Sequence, residues 1–134
     1  TLRPVELRTS ADIEPAFATA VREKVDALHI FGQPFLFAQG ARVAALALEH
    51  KLPAVSPPVE VTQAGLLMSY GDRLIDSVRR VPHYVDRILK GTSPADLPVE
   101  QATRFYLTLN LKTARALELK LPQALLLRAD EVIE

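Results

Sequence analysis

Apolar runs of strand length alternate with helical stripes through the first half of the 134-residue chain, and this alternation limits the possible folds more than any other feature. Val5 to Arg8 reads as a strand. After Ser10, an expected cap, Ile13, Phe17, Ala20 and Val21 share one helical face, with Asp12 and Glu14 in the first turn where the helix dipole favours acids. Ala27 to Phe31 is a second apolar run, closed by a loop containing Gly32 and Pro34. Ala38 to His50 is rich in Ala and Leu, lines up Ala41, Ala45 and Leu48, and is stopped by Lys51 and Pro53. Pro53 to Ser56 then supplies a third strand. Strand, helix, strand, helix, strand is the order that gives a parallel sheet with covering helices.

The second half continues the pattern. Pro57 and Pro58 force an extended turn, and Leu66 to Tyr70 reads as a strand ending at Gly71. Asp72 is expected to cap a helix whose stripe is Leu74, Val78, Val81, Val85 and Ile88, kinked at Pro82 and ended by Lys90 and Gly91. The stretch "LPVEQATRFYLTLNLKTARAL", from Leu97 to Leu117, changes character midway. Phe105, Leu107 and Leu109 point to one side of an extended chain, while Arg104, Tyr106 and Thr108 point to a wetter one. Asn110 can accept from the unpaired N–H groups of a first helical turn, and Leu111, Ala114 and Leu117 follow at helical spacing. The predicted unit is strand, cap, helix. "LPQALLLRADEVIE" finishes as a short helical turn and a tail.

A 49% hydrophobic share fits one compact domain with one core. Sixteen basic side chains balance sixteen acidic ones, so no bulk field draws nucleic acid or an anionic membrane, and nucleic acid is not an expected partner. The absence of cysteine excludes a thiol nucleophile, disulfides and thiolate metal sites. No apolar run approaches the roughly 20 residues that span a bilayer. Thr1 opens close to the first expected strand, without a Met or a leader, which reads as a cut edge with any export signal lying before it.

Catalytic patterns do not emerge. His29 lies in a strand, His50 ends a helix and His83 is mid-helix, so no two stand at metal-ligand spacing. "LMSYG" is not the G-x-S-x-G elbow, and the scattered glycines form neither a dinucleotide fingerprint nor a phosphate loop. We expect no enzyme, no cofactor and no metal. Polar and aromatic residues instead gather at the carboxyl ends of the expected strands, in the loops Gly32 to Phe37, Ser56 to Glu60 and Ser69 to Asp72. Open α/β sheets bind ligands there.

"GLLMSYG", "YVDRILKGTSPADLPVEQATRFYLTLNLKTARAL" and "LLLRADEVIE" resemble the carboxyl-terminal half of the ABC transporter substrate-binding protein family related to the tryptophan- and tyrosine-binding lipoproteins of bacteria. The resemblance covers essentially the whole chain and is strongest from Gly65 to Glu134. It implies an α/β fold: a Rossmann-like parallel sheet with flanking helices, one lobe of a type I periplasmic-binding-protein fold plus crossing elements. On that template, residues 1–71 form the lobe core, 72–97 a helix and linker crossing toward a first lobe, and 98–134 a returning strand and helix with the C-terminal tail.

The implied function is non-catalytic capture of a small molecule, amino-acid-like or aromatic, for delivery to an ABC permease, in the periplasm or attached to the cell envelope. The alternative is a small-molecule sensor or regulatory module on the same fold. The resemblance points Gln33, Pro34, Phe35, Ser56, Pro57, Glu60, Gly65, Ser69 and Tyr70 toward the cleft. Phe35 and Tyr70 would wall in an apolar side chain, Gln33, Ser56 and Ser69 would bond polar ends, and Glu60 would pair with an ammonium group. The chain departs from the family at Gln33 and Pro34, where "DP" is common, at "SPPVE", at Glu118, where Gly is usual, and at Pro82. With the stripe on helix 72–90 lacking its usual cover, a dimer through that helix is expected.

Overall fold

The apolar runs after residue 27 become short parallel strands separated by helices, so the chain is α/β as its alternation requires. The computed structural model describes every residue except Gly32 and Ala102. A 3-10 turn at Ser10–Asp12 leads into α1 (Ile13–Arg22), followed by β1 (Leu28–His29), α2 (Pro34–Ala38), α3 (Gly40–Glu49), β2 (Ala54–Ser56), α4 (Val59–Gln63) and β3 (Met68–Gly71). An excursion carrying α5 (Leu74–Val78), α6 (Val81–Leu89) and a 3-10 turn at Pro94–Asp96 separates β3 from β4 (Tyr106–Asn110). Then come α7 (Leu111–Ala116), α8 (Gln123–Leu126) and β5 (Glu131–Ile133).

The sheet order is β1-β2-β3-β4-β5, parallel throughout except for the antiparallel β3–β4 pair. Register puts Leu28 beside Ala54, and Ser56, Ser69 and Thr108 in a row, on one face of the sheet. α1, α3 and α4 cover that face, closing a core of Ile13, Phe17, Val43, Ala44, Ala47, Ala54, Val61 and Leu66. Asn110 shares the face two residues on from Thr108, and its amide donates to the Thr62 carbonyl of α4 at 3.1 Å.

Several local expectations change. Val5 to Arg8 runs as irregular chain rather than a strand: the Arg8 and Thr9 N–H groups donate to the Asp12 carboxylate (3.0 and 2.8 Å) instead of to a sheet neighbour. Phe35 and Phe37, expected in a loop, fall in α2, because Pro34 fits the first turn of a helix. Arg73, not Asp72, takes the N-cap position of α5, and no side chain caps it. The stripe 74–88 is split by Arg79 and Arg80 just ahead of Pro82, which opens α6 instead of lying inside one helix. The expected tail ends as β5, parallel to β4. Asn110 does cap: its Oδ1 accepts from the Thr113 N–H at 3.1 Å.

Candidate functional site

β1, β2 and β3 present their carboxyl ends along one edge of the sheet, the edge at which open α/β folds hold ligands. After β1, the exposed Phe31 ring meets His29 edge-on with centroids 4.5 Å apart. Gln33 and Pro34 are exposed at the start of α2, whereas Phe35 is half-buried and packs on the core. The expected loop begins at Gly32, which lies outside the described residues.

At the end of β2, Ser56 is 1% exposed, because its face of the sheet lies beneath α4. Pro57 follows and touches the end of β3. A Cβ added at Gly71 would stand 2.5 Å from the Pro57 carbonyl oxygen, so only glycine lets the two loops approach this closely. Glu60 is exposed in the first turn of α4, where the helix dipole favours a carboxylate. At the end of β3, Ser69 is buried beside Ser56 in register. Tyr70 points to the other face, 58% exposed, and stacks on Phe105 with centroids 5.8 Å apart and an interplanar angle of 27°.

The structure thus brings Gln33, Pro34, Pro57, Glu60 and Tyr70 to the carboxyl edge with accessible side chains. It turns Ser56 and Ser69 inward and gives Phe35 a packing role. Gly65 sits at the other end of β3. It adopts φ +128° where α4 ends, an added Cβ would be 3.1 Å from the Ala44 Cβ, and its carbonyl accepts from the Thr113 hydroxyl at 2.7 Å. Sequence reading missed Phe31 and Phe105 at this edge. In the sequence Phe31 closes the apolar run from Ala27 and Phe105 opens the apolar side of the strand before Asn110, but both lie just outside their strands.

A cavity of about 540 Å³ adjoins the edge at Asp72 without including any of the residues expected in the cleft. It opens between the α5–α6 excursion and the returning segment before β4. Tyr106 stands at its base, with the Arg73 and Arg104 guanidinium carbons 4.3 and 4.6 Å from its ring centroid, and its hydroxyl donates to Asp76 at 2.9 Å. Arg73 pairs with Glu131 at 3.0 Å and Arg80 with Glu100 at 3.0 Å. The Tyr84 hydroxyl is pushed above its ordinary value, first by burial and then by the neighbouring Glu100 charge. Ion pairs within the protein engage Arg73, Arg79, Arg80 and Arg104 of this cavity, whereas the carboxyl edge offers exposed aromatic surface.

The fold is shared with solved structures of larger chains. One is a conserved domain protein from Vibrio cholerae, at TM-score 0.86 and 25% identity, covering 92% of this chain and 42% of that one. Another is an ABC domain in complex with L-Trp from Streptococcus pneumonia, at TM-score 0.86 and 23% identity, covering 95% and 44%. A third is the ligand-free, open structure of a substrate-binding protein with adhesive properties from Clostridium difficile, at TM-score 0.63 and 20% identity, covering 95% and 42%. This chain therefore spans less than half the length of each. Comparison with curated proteins gave no match. The ABC transporter substrate binding protein family matches residues 1–133, and the chain belongs to that family.

Proposed function

We propose that this chain forms one wall of a solute-binding cleft in an extracytoplasmic, non-catalytic capture protein that hands an amino-acid-like or aromatic small molecule to an ABC permease. The observation that carries this reading is the exposed Tyr70–Phe105 pair at the carboxyl edge of a sheet of this family. A flat aromatic surface beside the accessible Gln33, Pro57 and Glu60 offers one stacking platform with polar groups around it, as small solutes with a ring and a charged end require. The neighbour that carries L-Trp fits this class. The excursion 72–97 leaves the sheet at the same edge and returns to it at β4, as an element joining two lobes would.

Titration calorimetry of the chain with L-Trp and the other amino acids tests the proposal. A solute held from one side only should bind weakly, on the order of millimolar. Tyr70→Ala should weaken that binding about tenfold, the loss of roughly one buried aromatic contact, and leave the melting temperature near the wild-type value. Tyr70→Ala binding as tightly as wild type, or no heat from any amino acid, would remove the edge from consideration.

A further inference from the structure

Tyr70 and Phe105 stack at the carboxyl edge, yet the ladder that joins β3 to β4 does not reach both of them. It ends where Gly71 faces Tyr106, so Tyr70 lies one residue inside the last rung and Phe105 one residue beyond it. Phe105 is 52% exposed, and Thr103 and Arg104 before it are exposed as well. Holding a ring at such a chain end against another ring costs backbone and rotamer freedom. Contacts other than the ladder have to offset that cost.

Tyr106 supplies them from the opposite face. It lies two residues before Thr108 and shares its side of the sheet, whereas Tyr70 points to the other side. The Arg73 guanidinium, from the segment leaving β3, and the Arg104 guanidinium, from the segment entering β4, both cover the Tyr106 ring, their carbons 4.3 and 4.6 Å from its centroid. Two cations over one ring repel each other unless each has a counter-charge. Asp130 and Glu131, neighbours where β5 begins, provide them: Glu131 pairs with Arg73 at 3.0 Å, and Asp130 lies 4.0 Å from Arg104 while accepting from the Leu107 N–H. We infer that Tyr106, held between Arg73 and Arg104, is a positioning residue for solute binding: it touches no solute but keeps Phe105 against Tyr70. Arg73 stands three residues after Tyr70 and Arg104 one before Phe105, so each guanidinium draws the chain bearing one member of the pair toward the same ring. The role in binding rests on the Tyr70–Phe105 pair being the solute surface, whereas the hold on that pair does not.

One spectrum reads the geometry and calorimetry reads the binding. The chain has three tyrosines, so tyrosine labelled in the ring gives three sets of NMR signals, assigned with Tyr70→Phe and Tyr84→Phe. Phe105→Leu removes the neighbouring ring and marks the Tyr70 shift of an unstacked pair. Tyr106→Leu should move the Tyr70 signals most of the way to that value and weaken amino-acid binding about tenfold, as loss of the Tyr70 ring does. Arg104→Gln, at a side chain 71% exposed, should move them in the same direction in a chain that stays folded. Tyr106→Phe keeps the covered ring and should restore both the wild-type shift and the affinity. Tyr70 signals indifferent to Tyr106→Leu and to Arg104→Gln would overturn the inference whether or not a solute binds. So would Tyr70 signals that move while the affinity stays at the wild-type value. A wild-type chain that gives no heat with any amino acid would overturn the role in binding, and the Tyr70 shifts would still decide whether Tyr106 holds the pair.

Discussion

Thr108 has no solvent exposure, and its hydroxyl finds no hydrogen-bond partner among the described residues. It continues the buried row of Ser56 and Ser69 beneath α4, where an unpaired hydroxyl loses water without compensation. Thr108→Val keeps the β-branched shape and removes that group. We expect it to raise stability by about 1 kcal/mol in urea unfolding, and a loss of that size would show that the hydroxyl has a partner. The alternation around Thr108 was legible in the sequence, but its polarity suggested a wet face, and no pattern within β4 reveals that α4 covers it. Glu118, at φ +57°, occupies a left-handed position after α7. Glu118→Gly should add about 0.5–1 kcal/mol, because glycine adopts that geometry without a Cβ penalty. Here the family resemblance was informative: it singled out Glu118 as a site where Gly is usual. Asp12 makes a pH-dependent contribution. Backbone N–H groups of Thr9 and Arg8 hold its carboxyl below the ordinary 3.8. A depressed folded value means stability present above 3.8 and lost as pH falls through the lower folded value. The urea-midpoint advantage of wild type over Asp12→Asn should therefore be full at pH 7 and shrink in strong acid.

Helix ends show how far element boundaries follow from side chains. After α1, α3, α4, α6 and α7 the same pair of backbone bonds closes the helix: Val25 to Ala20, Leu52 to Ala47, Leu66 to Val61, Thr92 to Arg87 and Leu119 to Ala114, each with a shorter companion bond inside it. Gly65 and Gly91 take the left-handed position in two of them, and Lys24, Lys51 and Glu118 in the others. Glycine alone would therefore have marked only some of these stops. The excursion of α5 and α6 is anchored at its base by side chains distant in sequence. Arg73 reaches Glu131 of β5, and Tyr106 of β4 lies against both Arg73 and Arg104 while bonding Asp76. None of these pairings has a local sequence signal, which is why the 72–90 stripe was legible and its attachment was not. Tyr106→Phe removes one half-buried hydrogen bond to a carboxylate and should cost about 1–2 kcal/mol in urea unfolding. An unchanged midpoint would show that the arginines hold the base unaided.

Across the whole molecule, the parallel βαβ core was legible because burial imposes its period on residues such as Leu28, Ala54 and Val61, whereas β5 was hidden because three residues carry no period. The candidate edge was legible as a set of loops but not side chain by side chain, since only register reveals that Ser69 points inward and Tyr70 outward. The same architecture implies uneven stability. Leu107 and Leu109 are buried in a strand paired on both sides, and the Asp130 carboxylate accepts from the Leu107 N–H at 2.9 Å. α5 and α6 bury no residue, so besides their own helical bonds only a few exposed or half-buried polar contacts, such as Arg80–Glu100, Tyr84–Pro98 and Tyr106–Asp76, oppose local opening, and helices this short are marginal by themselves. Native-state hydrogen exchange should show the amides of Val85 and Ile88 exchanging at least a hundredfold faster than those of Leu107 and Leu109 when the chain is dilute, a gap of roughly 3 kcal/mol in opening free energy. Equal protection in α6 and β4 at low concentration would mean that the excursion is already held by its own chain.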